Sequence, residues 1–341
     1  MHTLSRRAAR AVAATALVAL TLAGCSSTGG APRPAEDAPA QRTDGGLNAG
    51  QADTERAVVA MVSHGAPGDT FWDLVRQGAE DAAAKSNIEL RYSSDPQAPN
   101  QANLVQSAID AQVDGIAVTL PNADAIGPTA RKAAEAEIPV VALNAGMTEY
   151  DRFGIQGFFG QDEAVAGEMA GRRLQEEGAT DVLCVIHEQG NSSQEARCAG
   201  VEEGMGGSGV EILYVNGMDL TNVQATLTAK LAQDPGIDWI MGLVAPVALT
   251  ARSSVDAANS AARIATFDTN AQLVDAIAQE EIAFAVDQQP YLQGYLAVDA
   301  LWLAMRNGST MGGGQPVYTG PAIVDKRNVD VIADAARAGL R

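Results

Sequence analysis

The stretch IAFAVDQQPYLQGYLAVDALW, residues 282–302, joins an apolar run, a polar corner and an amphipathic segment. Residues 282–286 are typical of a short buried strand, and apolar residues recur at helical spacing from Tyr291 onward. Between the two lies the polar corner Asp287-Gln288-Gln289-Pro290. Because open α/β sheets place ligand-binding groups at the carboxyl ends of their strands, we predict that Gln288 contacts a ligand and that the corner is a hinge. The alternative is a helix N-cap with solvated amides.

From residue 56 onward, short apolar runs alternate with amphipathic segments of helical periodicity. The series runs once to about residue 143 and begins again near residue 161. Short continuous apolar strands separated by helices indicate parallel sheets that are covered by helices on both faces. About 285 residues follow Glu55, which is large for one hydrophobic core. The sequence therefore predicts an α/β fold of two doubly wound lobes.

The first 24 residues are predicted to be a signal peptide that does not belong to the fold. Arg6, Arg7 and Arg10 precede an apolar run, residues 11–23, that is too short to span a bilayer. The run ends in Leu22-Ala23-Gly24-Cys25-Ser26, which resembles the lipobox of bacterial lipoproteins. That resemblance implies a diacylated Cys25 and anchoring to the outer face of the cell membrane. The alternative is an ordinary signal peptide followed by a chance cysteine.

Residues 25–55 are predicted to be the lipidated cysteine and a disordered tether. Residues 26–55 are rich in Gly, Pro, Ala, Asp and Gln, and Leu47 is their only large aliphatic residue, so they cannot bury enough surface to fold. A flexible chain of this length spans roughly 30 Å. Loss of the signal peptide removes three arginines and leaves 20 basic against 42 acidic residues, a net charge of −22. Such a charge argues against nucleic acid as a partner.

Five motifs occur in the order found in the periplasmic sugar-binding proteins of ABC importers. They are Gly68-Asp69-Thr70-Phe71-Trp72, Val113-Asp114-Gly115-Ile116, Ala136-Glu137-Ile138-Pro139-Val140-Val141, Ala265-Thr266-Phe267-Asp268 and Asp287-Gln288-Gln289-Pro290. From residue 56 to about residue 329 the chain resembles this family, and in particular its ribose-binding type. The resemblance implies the type I periplasmic binding protein fold, in which three crossovers join two lobes.

The same resemblance implies where the chain passes between the lobes. We place the crossovers near Phe158, Gln288 and Gln315. The N-terminal lobe is then residues 56–157 plus 289–314, and the C-terminal lobe is residues 158–288 plus 315–341.

A sugar site needs carboxylates and amides beside the hydroxyls, with aromatic rings above and below, because a sugar has apolar C–H faces between its hydroxyls. Phe71 and Trp72 open a predicted helix directly after Asp69, and the resemblance makes all three ligand contacts. Alternatively, one of the rings belongs to the core. His64 follows the first predicted strand, and it is expected either to bind the ligand or to cap a neighbouring loop.

Further contacts are expected at later strand ends, where the chain departs from the ribose-binding pattern. Asn144-Ala145 stands where that pattern has Asp-Arg, Glu195 where it has Arg, and Val244-Ala245 where it has Asn-Asp. Asn144 is expected to contact the ligand without the charge pair. These departures leave the identity of the sugar open.

The second half of the chain supplies the remaining candidates. Asp268 follows a predicted strand and is expected to accept hydrogen bonds from sugar hydroxyls, the alternative being a helix N-cap. Glu188 and Asn191 lie in a loop where they are expected to replace the missing arginine, with a solvated loop acid as the alternative for Glu188. Arg197, two residues beyond Glu195, completes the predicted site.

Cys184 and Cys198 remain once Cys25 is assigned to lipid, and an even pair in an exported protein favours a disulfide. Such a bridge would stabilise the fold by about 3 kcal/mol in the chain-entropy model. Two buried thiols are the alternative. No metal site is expected, because the mature chain has only two histidines and no clustered ligands. No cofactor is expected either, since the G-x-G-x-x-G match at residues 204–209 follows a predicted helix and precedes a strand, the reverse of the dinucleotide motif.

The predicted function is that of an extracytoplasmic, lipid-anchored solute-binding protein, monomeric and not an enzyme. It would capture a monosaccharide or polyol between its lobes and deliver it to an ABC transporter permease. One alternative is a sensor that presents its ligand to a membrane receptor. Another is an extracytoplasmic sugar-active enzyme, which would need a pair such as Asp69 and Asp268 at the carboxylate separation of a glycosidase.

Overall fold

The computed structural model describes residues 51–341. The predicted signal peptide, Cys25 and most of the predicted tether lie outside these residues.

The described chain alternates strands and helices as the hydrophobic pattern predicts. The strands are β1 (Ala57–Ser63), β2 (Ile88–Ser94), β3 (Gly115–Val118), β4 (Val140–Leu143), β5 (Phe158–Gly160), β6 (Val182–Ile186), β7 (Val210–Tyr214), β8 (Trp239–Gly242), β9 (Arg263–Phe267), β10 (Phe284–Asp287), β11 (Val317–Tyr318) and β12 (Ala322–Asp325). The helices are α1 (Thr70–Lys85), α2 (Ala98–Asp110), α3 (Ala123–Glu135), α4 (Glu163–Glu176), α5 (Ser192–Gly204), α6 (Leu220–Gln233), α7 (Ala245–Ala258), α8 (Ala271–Ala278), α9 (Pro290–Asn307) and α10 (Val329–Arg337). Short 3-10 turns cover Tyr150–Phe153 and Met311–Gly314.

The strands form two six-stranded sheets, one in each lobe. Their orders are β11-β5-β4-β3-β1-β2 and β12-β10-β9-β8-β6-β7. All neighbouring strands are parallel except β12, which runs antiparallel to β10. Two doubly wound lobes with largely parallel sheets confirm the predicted fold class.

The central strands of each sheet are buried on both faces. Consecutive side chains of a strand point to opposite sides of its sheet. Phe158 packs into one apolar cluster of the first lobe and Phe159 into the cluster on the other face, and both rings are fully buried. In the second lobe, Leu183 and Cys184 of β6 divide in the same way. Burial on both faces explains why these strands are continuously apolar.

The chain crosses between the lobes three times, and two crossings differ from the predicted positions. Phe158 and Gln315 were expected at crossovers, yet β5 pairs with β4 and β11 pairs with β5 in the first sheet. The crossings therefore follow these strands, at residues 161–162 and 319–321, while the middle one lies at residues 288–289. Strands of three and two residues are too short for periodicity to reveal.

Thr319 ties the three crossings together by hydrogen bonds. Its backbone N–H donates to the carbonyl of Gly160 at 2.7 Å, and its hydroxyl donates to the carbonyl of Gln288 at 2.7 Å. Next to this junction, the guanidinium of Arg341 pairs with the fully buried carboxylate of Asp287 at 2.7 Å. The hinge is therefore a connected polar cluster.

A disulfide joins Cys184 of β6 to Cys198 of α5, with the two Cα atoms 5.9 Å apart. Both cysteines are buried, and the bridge holds α5 against its sheet. Residues 204–209 connect the end of α5 to β7, so the glycine-rich match is a turn between helix and strand. Among residues 51–341, no helix combines the length and apolar character needed to cross a membrane.

Candidate ligand-binding site

A cavity lies between the lobes at the carboxyl ends of both sheets, and all ten predicted contact residues line it. The cavity is open to solvent on one side. The first lobe contributes His64, Asp69, Phe71, Trp72 and Asn144. The second lobe contributes Glu188, Asn191, Arg197 and Asp268, with Gln288 at the middle crossing.

The aromatic part of the first-lobe wall is positioned by the start of α1. The Asp69 carboxylate accepts a hydrogen bond from the backbone N–H of Phe71 at 3.0 Å, so Asp69 is the N-cap of the helix. This cap turns Phe71 and Trp72 toward the cavity, with their ring centroids 5.1 Å apart and edge to face. Both rings also pack into the apolar cluster of the lobe, so they serve core and cavity together.

Gly65 is required for the position of the Trp72 indole. A Cβ at residue 65 would lie 2.5 Å from Cγ of Trp72, closer than two carbon atoms can approach. The ring of His64 also contacts the indole, with centroids 4.7 Å apart and a steep interplanar angle of 71°. The indole is therefore held by close packing on two sides.

Both ring nitrogens of His64 lie close to polar side chains. Its Nδ1 lies 2.7 Å from the hydroxyl of Thr119, which already accepts a hydrogen bond from the Gln101 amide at 2.9 Å. Burial lowers the pKa of His64, which keeps the ring neutral near pH 7. The Nε2 of His64 lies 3.5 Å from Nδ2 of Asn191 and 3.8 Å from the Glu188 carboxylate, both on the other lobe.

Gln288 links the two lobes through its side-chain amide. Its Nε2 donates to Oδ1 of Asp268 at 2.8 Å, and its Oε1 accepts from Nδ2 of Asn144 at 3.1 Å. Asn144 and Asp268 occupy equivalent positions directly after β4 and β9, and each has a φ of 65°. Asn and Asp tolerate this left-handed conformation better than most residues. The strand ends thus direct both side chains inward to meet at Gln288.

Two carboxylic acids of the cavity are perturbed by burial. Burial raises the pKa of Asp268 to about 7 and that of Asp69 to about 6. The Arg197 guanidinium and the Gln288 amide oppose the shift at Asp268, and the backbone N–H of Phe71 opposes it at Asp69. A ligand hydroxyl that donates to either carboxylate would stabilise its ionised form and lower its pKa.

Arg197 is held by a buried acid that the sequence did not single out. Glu163, the first residue of α4, accepts from Nε of Arg197 at 2.6 Å and from Nη2 at 2.9 Å. The guanidinium also donates to the carbonyl of Leu243 at 3.3 Å and lies 4.7 Å from the ring centroid of Phe267. Because Glu163 accepts two hydrogen bonds from the guanidinium, the main role of Arg197 is to hold this wall of the cavity in place.

Asn191 caps α5 and positions Glu188. Its Oδ1 accepts from the backbone N–H of Ser193 at 3.0 Å, and its Nδ2 donates to the Glu188 carboxylate at 2.6 Å. The next residue, Ser192, donates through its backbone N–H and its hydroxyl to the carbonyl of Pro121, on the first lobe. The two lobes are thus in direct contact beside the cavity.

Sequence reasoning missed five residues that line the cavity: His187, Ser193, Gln194, Leu243 and Val244. The Gln194 side-chain oxygen accepts from the backbone N–H groups of His187 and Glu188 at 3.0 and 3.1 Å, which shapes this loop. Ser193 and Gln194 open α5 after a strand, as Phe71 opens α1, so the same rule could have found them. Leu243 and Val244 carried no polar signal.

A family profile described as a periplasmic binding protein domain matches residues 59–309, well over half of the chain. The chain belongs to the periplasmic binding protein family. A solved structure of a carbohydrate transporter from Acidothermus cellulolyticus, in complex with myo-inositol, is 49% identical to this periplasmic binding protein. The match covers 84% of this chain and 100% of the other, with a TM-score of 0.83.

Two curated relatives are more distant. The chain is 22% identical to the xylose/arabinose-binding protein of Sulfolobus acidocaldarius over 68% of its own length and 62% of the relative's. It is 28% identical to the xylitol-binding protein of Mycolicibacterium smegmatis over 46% and 44%. The matched part thus spans less than two thirds of either curated relative. These relatives are binding proteins, and solute binding is the role that family and fold support for this periplasmic binding protein.

Proposed function

We propose that this protein captures a cyclic polyol in the interlobe cavity, and that myo-inositol is its first ligand to test. One observation carries the proposal: acids, amides and aromatic rings from both lobes converge on a single cavity. The acids Asp69 and Asp268 accept hydrogen bonds from hydroxyls, and the amides Asn144 and Gln288 do so and donate as well. Trp72 offers an apolar surface for the C–H face of a ring.

The likeness to the Acidothermus cellulolyticus protein supports a cyclitol over an open-chain sugar alcohol. Identity of 49% over the whole of that chain is far above the 22% and 28% of the pentose- and xylitol-binding relatives. The ribose-binding pattern has the charge pair Asp-Arg where this chain has Asn144-Ala145, and an Asn where it has Val244. Both differences distinguish this cavity from a ribose site. A cyclitol has no anomeric carbon or ring oxygen, and it needs hydroxyl recognition all round its ring.

Delivery to an ABC permease would depend on closure of the lobes around the ligand. Hinge closure changes the placement of the two lobes relative to each other, which a membrane partner can recognise. A lipid on Cys25 would keep the protein at the outer face of the membrane, and residues 26–55 would give it reach. Replacing Cys25 with Ala should then yield an unlipidated, soluble protein, and continued incorporation of labelled fatty acid would contradict the anchor.

Thermal unfolding in the presence of myo-inositol, xylitol, D-xylose and L-arabinose tests the ligand class. A ligand at 100 times its dissociation constant should stabilise the folded state by about 2.7 kcal/mol. We expect myo-inositol to raise the melting temperature most, with the dissociation constant then measured by calorimetry. A shift with a pentose or with xylitol, and none with myo-inositol, would overturn the cyclitol assignment.

A pair of variants locates the binding event. Trp72→Ala removes a ring that lines the cavity and should weaken the binding of myo-inositol strongly. Tyr318→Ala removes an exposed aromatic side chain of β11, outside the cavity, and should leave the affinity unchanged. Equal affinities for the two variants would place the site elsewhere.

A further inference from the structure

The side chains that line the cavity are unbalanced in charge. They include three carboxylates, Asp69, Glu188 and Asp268, and one basic group, Arg197, in the part of the chain that the structure describes. The charge of Arg197 is already matched by Glu163 through two short hydrogen bonds of 2.6 and 2.9 Å. The cavity therefore keeps three acids without a cation of their own.

The two histidines of the cavity do not supply the missing positive charge. Burial lowers the pKa of His187 to about 4 and also lowers the pKa of His64. The Nε2 of His64 lies 3.8 Å from Oε2 of Glu188, beyond hydrogen-bond distance. Near pH 7 both rings are uncharged, so they offer hydrogen bonds without neutralising the acids.

Two of the acids oppose each other across the cleft. Asp69 belongs to the first lobe and Glu188 to the second, and both line the inner cavity as well as its outer mouth. The charge of Glu188 contributes to raising the pKa of Asp69. Closing the lobes brings these like charges together, and their repulsion grows as water is removed from between them. A cation bound between them would offset that repulsion.

The third acid, Asp268, has one carboxylate oxygen that is available to a ligand. Asp268 is 3% exposed, and one of its oxygens accepts the hydrogen bond from Gln288. Its other oxygen makes no hydrogen bond with any residue from 51 to 341. A carboxylate oxygen that faces the cavity without a protein partner binds a charged donor more strongly than a neutral one.

We propose that the cavity takes an amino-substituted cyclitol, with its ammonium group bound by these acids, in preference to the uncharged parent. An ammonium replaces a hydroxyl with little change in size and donates three hydrogen bonds where a hydroxyl donates one. It can therefore join Asp69 to Glu188, or reach the free oxygen of Asp268. The same acids repel a phosphorylated cyclitol. This inference rests on the proposed function, because it names the ligand class of the same cavity.

Three matched ligands test it on the full-length protein: myo-inositol, a monoamino-monodeoxy-inositol and a monodeoxy-inositol. Calorimetry at pH 7.5 should give the amino compound at least about tenfold tighter binding than myo-inositol, and the deoxy compound weaker binding than both. Inositol monophosphate should show no binding. An amino compound that binds no more tightly than myo-inositol would overturn this inference and leave the proposed function standing. Failure of all four ligands to bind would overturn both.

Conservative variants then show whether the acids cause the preference. Asp69→Asn keeps a good N-cap for α1, and Glu188→Gln keeps a side chain of the same shape, so neither should unfold the protein. Each should lower the ratio of the amino to the parent affinity by about threefold or more. Glu195→Gln removes an acid that lines neither the cavity nor its mouth and that accepts a hydrogen bond from Tyr214, and it should leave the ratio unchanged. An unchanged ratio in both cavity variants, or an equal fall in the Glu195 variant, would contradict the proposal.

Discussion

The two walls of the cavity are held in place by different forces. On the first-lobe wall, Phe71 and Trp72 belong to an apolar cluster, and the indole rests against Gly65 without room for one more carbon. On the second-lobe wall, Arg197 is held by Glu163 through a buried ion pair. One wall is positioned by shape and the other by charge. The first wall should therefore respond to changes in volume and the second to loss of a partner.

The largest effect is expected where the second wall loses its charge pair. Arg197→Met leaves the Glu163 carboxylate buried without its partner, and breaking such a pair costs about 3–5 kcal/mol of unfolding free energy. Urea denaturation measures the loss. The double variant Arg197→Met with Glu163→Gln removes both charges and should recover most of the stability. A double variant as unstable as the single one would show that packing, and not charge, holds this wall.

The first wall should be sensitive to a single added methyl group. Gly65→Ala places a Cβ 2.5 Å from Cγ of Trp72, so the indole must move. Overpacking of this kind costs about 1–3 kcal/mol, and the displaced ring should also weaken ligand binding. Gly157→Ala is the control, because its Cβ would lie 3.7 Å from its nearest neighbour, the carbonyl oxygen of Met311. Equal losses in the two variants would mean that close packing against Trp72 is unimportant.

Gln288 tests whether the two walls act together. Gln288→Ala removes the amide that joins Asn144 to Asp268, and we expect a loss of about 1–3 kcal/mol in ligand affinity. Small-angle scattering should show the wild-type protein becoming more compact on adding ligand. A variant with full affinity, or a ligand-bound wild type of unchanged dimensions, would separate the corner from binding.

The smallest effect is a pH dependence that distinguishes the acids of the two walls. With the pKa of Asp268 raised to about 7, this carboxyl is largely protonated at pH 6 and ionised at pH 8. A neutral ligand whose hydroxyl donates to the carboxylate should therefore bind about tenfold more tightly at pH 8 than at pH 6. The stability of the ligand-free protein depends on pH in the opposite direction. The raised pKa of this carboxyl stabilises the folded state at low pH, and the contribution is lost as the pH rises through about 7.

Variants assign this pH dependence to one wall. Asp268→Asn should flatten the rise in affinity between pH 6 and pH 8, measured by calorimetry. Asp69→Asn should remove only its lower part, since the pKa of Asp69 is about 6. A wild-type affinity that is constant over this range would show that neither carboxylate accepts from the ligand.

The first wall was the more predictable of the two from sequence. Asp69, Phe71 and Trp72 follow one another, so the cap and the rings share one local signal at the start of α1. Asn191 and Glu188 were also found, because a loop after a strand is where polar contacts are expected. Glu163 was not predicted, because its partner Arg197 lies 34 residues away in the sequence. In its local sequence, Glu163 is simply an acid in the first turn of a helix. Asn144 was expected at a strand end, but its partner Gln288 could not be identified from sequence.

The amino-acid sequence by itself determined the order of strands and helices, and with it the two doubly wound sheets, because hydrophobic periodicity acts over short stretches of chain. It also determined that polar side chains stand at the carboxyl ends of those strands. Only the tertiary structure decided where the chain crosses between lobes, because β5 and β11 are recognisable only by their neighbours in the sheet. It alone decided that Asn144 meets Gln288 across 144 residues. Contacts of that kind depend on how whole lobes pack, and no local pattern contains that information.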